Sequence, residues 1–395
     1  MNIGMKRTAL MSAVLVATGF CAQVSAAENE WAGVPIGPLT AYPGVGLDII
    51  HDDNVFTTSS NEKSSWITVL KPVFLLEAKK RDQVFSLSYK GAIGFYDSTP
   101  GDDYDDHNFR AEADMQISSR SALNVSAGYK LGHDPRGSND RPISNSPDKW
   151  HASDIGGVFA YGSEGAKGKV ELEGQYTEKR YDNNRVFTRG FDRDDTTGGA
   201  TFYWKVMPKT SLLLQAKNTD IDYTLGTSTQ DNDNYWYMAG VTWDATAKTS
   251  GTVKVGYTEK DFDSSTREDQ DGIGWQAEVQ WKPLTRSTVD FGFSRGFNES
   301  TGIGDTTETT DYSAAWSHDW TSRTSTGVNL SYIEDEYQGG STREDETFGL
   351  SLNASYQFRR WLGVNAVYNY TDRDSNTSNQ EYDRNQFMLN FLLTL

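Results

Sequence analysis

The sequence predicts an all-β fold, a single transmembrane antiparallel up-and-down β-barrel of 18 strands. Three observations predict it: apolar and polar residues alternate with period two in segment after segment, the connections are alternately short and long, and tryptophans recur once per hairpin at one strand end. Composition narrows the class. Only 36% of the 395 residues are apolar, below the roughly 45–50% of ordinary globular domains, yet 12% are aromatic, more than a disordered acidic chain carries. A formal charge of −18 offers no basic face to phosphates, which excludes a nucleic-acid partner.

The N-terminus sets the compartment. Lys6 and Arg7 precede an apolar run over residues 8–22, and Val24, Ser25 and Ala26 bring small residues to a cleavage site, so residues 1–26 read as a signal peptide cut after Ala26 or Ala27. Cys21, the only cysteine, leaves with it, and losing two basic and no acidic residues takes the charge from −18 to −20. Disulfide and thiol chemistry are thereby excluded from the mature chain. Residues 27–44, with Trp31, Pro35, Pro38 and Pro43, do not alternate and read as a periplasmic leader or a lumen plug; the barrel is expected over 45–395. No later run of about 18 apolar residues could form a spanning helix.

Along the barrel, Phe109, Ala111, Ala113, Met115 and Ile117 interleave with Arg110, Glu112, Asp114 and Gln116, and Ile273, Trp275, Ala277, Val279 and Trp281 with Gln276, Glu278, Gln280 and Lys282. A soluble sandwich would alternate in the same way, so connection lengths decide. Strands are expected to begin near Val45, Ser65, Gln83, Asn108, Ala122, Trp150, Lys169, Thr197, Ser211, Tyr235, Gly251, Gly272, Ser287, Thr310, Ser325, Thr347, Leu362 and Arg384; the first strand is weak, and 16 strands is the alternative count. Short turns centre on 79–81, 119–120, 163–167, 208–209, 246–248, 283–286, 322–323 and 359–360, every one with a basic residue. Long polar connections include 97–106, 132–149, 181–193, 261–271, 298–309, 334–346 and 372–383. Short turns at one end and long loops at the other mark an outer-membrane barrel, and an even strand count returns both termini to the periplasm.

Trp204, Trp243, Trp281, Trp320 and Trp361 follow one another at intervals of 39, 38, 39 and 41 residues, each beside a short turn, as a lower interfacial girdle requires. Tyr96, Tyr181, Tyr223, Tyr257, Tyr332 and Tyr370 lie toward the loops and are expected to form the upper girdle. Phe387, Leu389, Phe391, Leu393 and Leu395 carry alternation to the carboxyl terminus, the strand that must close the sheet edge. The second strand is apolar on both faces around Val69 to Leu76, which implies that something packs inside the barrel against it; the leader is the nearest segment.

From Gly44 to about Pro135, a Gly-containing first strand, then His51, Asp52, Asp53, Asn54, Val55 and Phe56, then alternating strands, resembles the second putative outer-membrane β-barrel porin family of Gram-negative bacteria. Its members often open with Tyr-Asp-Asp-Asn, so His51 departs from the pattern, as Leu395 departs from the usual terminal Phe. The resemblance implies an integral barrel of the cell outer membrane that takes part in exopolysaccharide export with periplasmic export proteins. Composition and spacing give the barrel alone, and a general diffusion porin for small hydrophilic solutes is the alternative.

Inward parity is assigned to Lys90, Arg110, Glu112, Asp114, Lys130, Lys169, Glu171, Glu173, Lys205, Lys217, Lys254 and Glu278, a lumen lining of mixed charge. Trp236 also has inward parity and could stack on a sugar ring, or belong to a girdle or a packed loop. No catalytic machinery is expected. Five scattered histidines without a thiol make no metal cluster, and no cofactor is implied. His151 and Ser153 on one strand face resemble the spacing of a membrane-embedded lipid A deacylase, with no acidic residue evident to orient the imidazole; Asp106 beside His107 resembles an omptin dyad more faintly. Asp97, Asp102, Asp103, Asp105 and Asp106 could hold calcium but read first as solvated loop carboxylates beside lipopolysaccharide. The expected partners are outer-membrane lipid, lipopolysaccharide, polysaccharide and periplasmic export proteins.

Overall fold

The computed structural model describes residues 33–142, 144–163, 165–244 and 248–395; the expected signal peptide, with Cys21, and leader residues 27–32 lie outside the described residues. A three-residue arm, β1 (Val34–Ile36), precedes the first wall strand, β2 (Leu39–Asp52). The wall continues through β3 (Ser65–Lys80), β4 (Gln83–Tyr96), β5 (Tyr104–Ser118), β6 (Ser121–Asp134), β7 (Asp148–Tyr161), β8 (Gly168–Tyr181), β9 (Arg193–Met207) and β10 (Thr210–Tyr223). It is completed by β11 (Asn232–Trp243), β12 (Thr249–Phe262), β13 (Gln270–Leu284), β14 (Ser287–Glu299), β15 (Thr306–Asp319), β16 (Thr324–Gln338), β17 (Glu344–Arg359), β18 (Leu362–Ser375) and β19 (Tyr382–Thr394). Each wall strand pairs antiparallel with the next and β19 pairs back onto β2, so 18 strands close a ring, as the alternating connections predict.

The seam is where the sequence boundary moves. Strand β19 stops at the Thr394–Gly44 pair, and the uncovered lower edge of β2 is taken by β1, from Val34 opposite Ala41 to Ile36 opposite Leu39. The barrel wall therefore starts at Leu39 instead of residue 45, and residues 39–43 are wall. Pro43 hides this in the sequence, yet it sits at the end of the β19 ladder, where a missing N–H costs little.

Large apolar side chains face outward, among them Leu87, Leu172, Leu214, Val255 and Ile273, each at least half exposed on the isolated chain. A water-soluble protein could not carry such a surface, whereas lipid covers it without penalty. Trp204, Trp281, Trp320 and Trp361 stand exposed beside the short turns. The upper ring differs from expectation: Tyr257 is exposed, but Tyr181 and Tyr223 are buried and bonded to Asp134 and Glu299 within the barrel, and Tyr96 packs with Ile67 and Val69. Their distance from the turns was right and their parity was not, since Tyr96 shares the inward parity of Lys90 on β4, and Tyr181 that of Lys169 on β8.

Loops are shorter than the sequence suggests. A 14-residue strand at about 3.3 Å per residue, tilted about 40°, rises roughly 35 Å against an apolar band of about 25 Å. The excess stands above the lipid, where both faces are polar and alternation disappears although the ladder continues. The connection expected at 298–309 is only 300–305, and that expected at 334–346 is 339–343.

Something does pack inside against β3. It is the first loop, residues 53–64, whose Val55 and Phe56 meet Ile67 and Val69; residues 39–43 of the expected plug are occupied as wall strand.

Candidate functional site

The lumen wall is built by strand parity. Arg110 donates to Glu112 on its own strand at 2.8 Å, to Asp154 of β7 at 3.2 Å and to Ser126 of β6 at 2.9 Å. Lys169 pairs with Glu171, which also accepts from Tyr203 at 3.0 Å, and Asp114 accepts from Asn124. Glu173 lies over Gly199, and Glu278 accepts from Gln276 at 3.1 Å. Lys90 faces Asn108 across the β4–β5 ladder and Lys130 faces Ala152 across the β6–β7 ladder. Trp236 crosses toward β14: a methyl group added at Gly296 would sit 2.3 Å from its indole. These residues do not converge on one point; they form a band of charge around β4 to β13. Below the mouth, the inward positions of β16 to β18 carry small neutral groups instead, including Asn329, Ser331, Ser351, Asn353, Asn365 and Asn369.

The chemistry-bearing constellation that parity missed lies at the mouth. The third loop, residues 135–147, leaves the wall between β6 and β7 and reaches the far side of the ring. Asp140 accepts from Arg343 at 2.6 Å, from Thr301 at 2.6 Å and from Tyr337 at 3.1 Å. Tyr337 belongs to β16, and β7 and β16 are nine strands apart in either direction around a ring of 18. The loop therefore spans the lumen. Asp134 to Asp140 is six residues, a reach of about 20 Å when extended, so the 300–305 and 339–343 loops must lean in to meet it. Gly302, with φ of +149°, permits the approach: a Cβ there would lie 2.9 Å from the Asp140 backbone.

The loop is rooted at its own side by two arginines. Arg141 is buried and bonded to Asp134 at 2.8 Å and Asp148 at 3.1 Å, with the rings of Tyr181 and Phe191 each 4.9 Å away. Burial opposes its charge, but Tyr181, Asp134 and Asp148 outweigh that and raise its pKa above the ordinary value. Arg136 makes a two-pronged contact with Asp102, both bonds 2.6 Å, which raises its pKa, and it covers Phe56 at 4.2 Å. On the far side, burial also opposes the Arg343 charge, while its bonds to Asp345 and the nearby Asp140 hold it firmly protonated. Every cation of this bridge stays charged, so the tie is electrostatic as well as geometric.

The Asp-Asp-Asn motif acquires a role at the same level. Asp52 is gripped by Arg384, Asp53 accepts from the backbone and side-chain nitrogens of Asn385 at 2.7 and 2.8 Å, and Asn54 donates to Asp383 O at 3.0 Å. It locks the first strand to the last and sends the chain inward as the first loop. Other sequence candidates separate. Asp106 meets His133 at 2.9 Å while His107 meets Tyr89, so they form no dyad. His151 does have an acidic partner, Asp182 at 2.8 Å, supplied by the following loop; no hydrogen bond joins it to Ser153 among the described residues. Asp102, Asp103, Asp105 and Asp106 are all engaged by protein groups, and among the described residues no three metal-ligating side chains gather.

A closed, lipid-jacketed ring with a polar lumen is a channel architecture, and the comparisons agree. Residues 29–394 match the family described as Putative beta-barrel porin 2. The chain belongs to this family. It is thus a porin-like channel, an integral multi-pass barrel of the outer membrane. No curated protein shows significant sequence similarity to it. Among solved structures, Pseudomonas aeruginosa OpdO shares 15% identity at a TM-score of 0.50, over 90% of this porin and 97% of that chain. Pseudomonas aeruginosa OpdL shares 12% identity at 0.50, over 91% of this porin and 100% of that chain. Pseudomonas aeruginosa OpdK with vanillate shares 12% at 0.50, over 90% and 99%. At these identities the similarity is one of fold.

Proposed function

We propose that this porin passes small hydrophilic solutes and selects them at a mouth narrowed by its third loop. The observation that carries the reading is the bridge from Asp140 to Arg343, Thr301 and Tyr337, which holds backbone across the lumen. A polymer needs a continuous wide path, and a buried, ion-paired strap is an obstacle to it. A charged band below the strap keeps the lumen hydrated and suits polar cargo. The test is solute entry into liposomes holding the purified mature protein. Monosaccharides and salts should enter, while tetrasaccharides should be held back. Equal rates for all sizes would refute the selective mouth.

Export of an exopolysaccharide is the second reading, favoured by one feature. A single carboxylate, Asp140, holds the far end of the strap, and the wall of β16 to β18 beneath offers neutral amides and hydroxyls to a glycan. On that reading, loss of the gene lowers surface polysaccharide and leaves sugar uptake unchanged. The opposite phenotype supports the diffusion channel.

A further inference from the structure

The short turns carry a charge opposite to that of the whole chain. Each of the eight bears an exposed Lys or Arg, among them Arg81, Arg120, Lys167, Lys248, Arg286 and Arg323, whereas the exposed acids on the same rim, among the described residues, are Asp82, Asp244 and Asp319. None of those six cations lies within ion-pair distance of a carboxylate among the described residues. Two of them meet tryptophans of the girdle: the Lys167 ammonium is 4.9 Å from the Trp204 ring, and Arg286 donates to the Trp320 carbonyl at 3.4 Å. On an acidic protein, cations would be expected to pair internally unless an external anion occupies them.

We propose that this basic rim binds the phosphates of anionic phospholipids in the periplasmic leaflet. Short barrel turns face the periplasm, and the indoles mark the height at which acyl chains give way to headgroups, so cations just beyond them meet phosphate. The distribution argues for lipid over a protein partner. A docked protein contacts one side of a rim, but here the cations recur in every turn around the ring, matching an annulus that surrounds the barrel.

The experiment is native mass spectrometry of the mature protein released from equal mixtures of phosphatidylglycerol and phosphatidylcholine. Retained lipid should be enriched in phosphatidylglycerol, and Arg286→Gln, Arg323→Gln and Arg360→Gln, combined, should lower the enrichment by roughly fivefold per cation that contacts a headgroup. Heat-modifiable migration on gels reports whether the variant is folded; if it is not, the wild type itself should lose its preference in about 1 M salt, where charge interactions are screened within about 3 Å. Lys63→Gln, a charge loss on the first loop, should change nothing. Equal retention of both lipids by the wild type, or an equal effect of Lys63→Gln, would overturn the proposal. So would a lipid-indifferent barrel that instead captures an acidic periplasmic protein.

Discussion

Replacing Asp140 with Ala should open the channel. The carboxylate receives three hydrogen bonds from the far wall, and its side chain is 7% exposed beside an Arg343 side chain that is 2% exposed. Removing the carboxylate forfeits charge-assisted hydrogen bonds worth about 1.5–3 kcal/mol. Arg343 keeps its contact with Asp345, so the loss falls chiefly on the loop, which no longer has a reason to stay extended. That energy shifts the balance between crossed and withdrawn loop by roughly 10–10²-fold toward withdrawal. The roots at Arg136 and Arg141 remain, so the barrel itself should fold and migrate normally. Single-channel recording in planar bilayers should show low conductance for the wild type and a sustained larger step for Asp140→Ala. Arg343→Gln should raise conductance less than Asp140→Ala, because Thr301 and Tyr337 still donate to Asp140. Unchanged conductance in a folded Asp140→Ala barrel would refute the strap, and unchanged conductance in Arg343→Gln would mean that Thr301 and Tyr337 hold it without Arg343.

Three further outcomes follow from the wall and the seam. Ala113→Arg or Val279→Arg places a charge against lipid at a cost of about 2–4 kcal/mol, whereas Glu278→Arg on the lumen face should be much milder; equal losses of folding in vesicles would contradict the parity. A cysteine at Ser98, in the loop after β4, should label in intact cells, while one at Ser119, in the turn after β5, should label only after permeabilisation, and the reverse would invert the barrel. Asp53→Ala removes two bonds across the β2–β19 seam and should lower the unfolding midpoint, whereas Asp97→Ala, which no side-chain bond ties to that seam, should not; identical melting of Asp53→Ala and the wild type would mean that the motif is not a clasp.

How much was legible depends on which end of a strand is considered. Strands that begin at short turns were placed within about two residues, as at Gln83, Ser287 and Leu362, because alternation runs right up to the turn. Strands that begin on the loop side, β3 at Ser65 excepted, start earlier than alternation shows, β9 at Arg193 instead of Thr197 and β15 at Thr306 instead of Thr310, because above the lipid neither face needs to be apolar. The lumen charges were assigned from parity alone. The Asp140 bridge could not be, since its partners are 161 to 203 residues away and meet it only once the ring has closed. The one local hint was apolar residues on both faces of β3, which pointed to the leader as the internal segment, whereas the first loop fills that place.

The first loop joins the seam to the mouth. Asp52, Asp53 and Asn54 clasp β19 and turn the chain inward, Val55 and Phe56 then pack on β3, and Phe56 lies under Arg136 at the root of the third loop. Thr57 adds a hydrogen bond to Gly137 O at 3.0 Å, and Gly137 itself, with φ of +82°, leaves no room for a side chain, since a Cβ there would come within 2.1 Å of Phe56 O. The strap is thus seated on a loop that exists in this form only when the first and last strands are paired. Barrel closure is the longest-range pairing in the wall, joining residues more than 300 apart in sequence. A half-closed barrel would lack the Asp53–Asn385 clasp, and with it the platform beneath Arg136. The constriction therefore completes only with the ring, which makes an Asp-Asp-Asn motif at the start of the wall part of the support beneath the mouth.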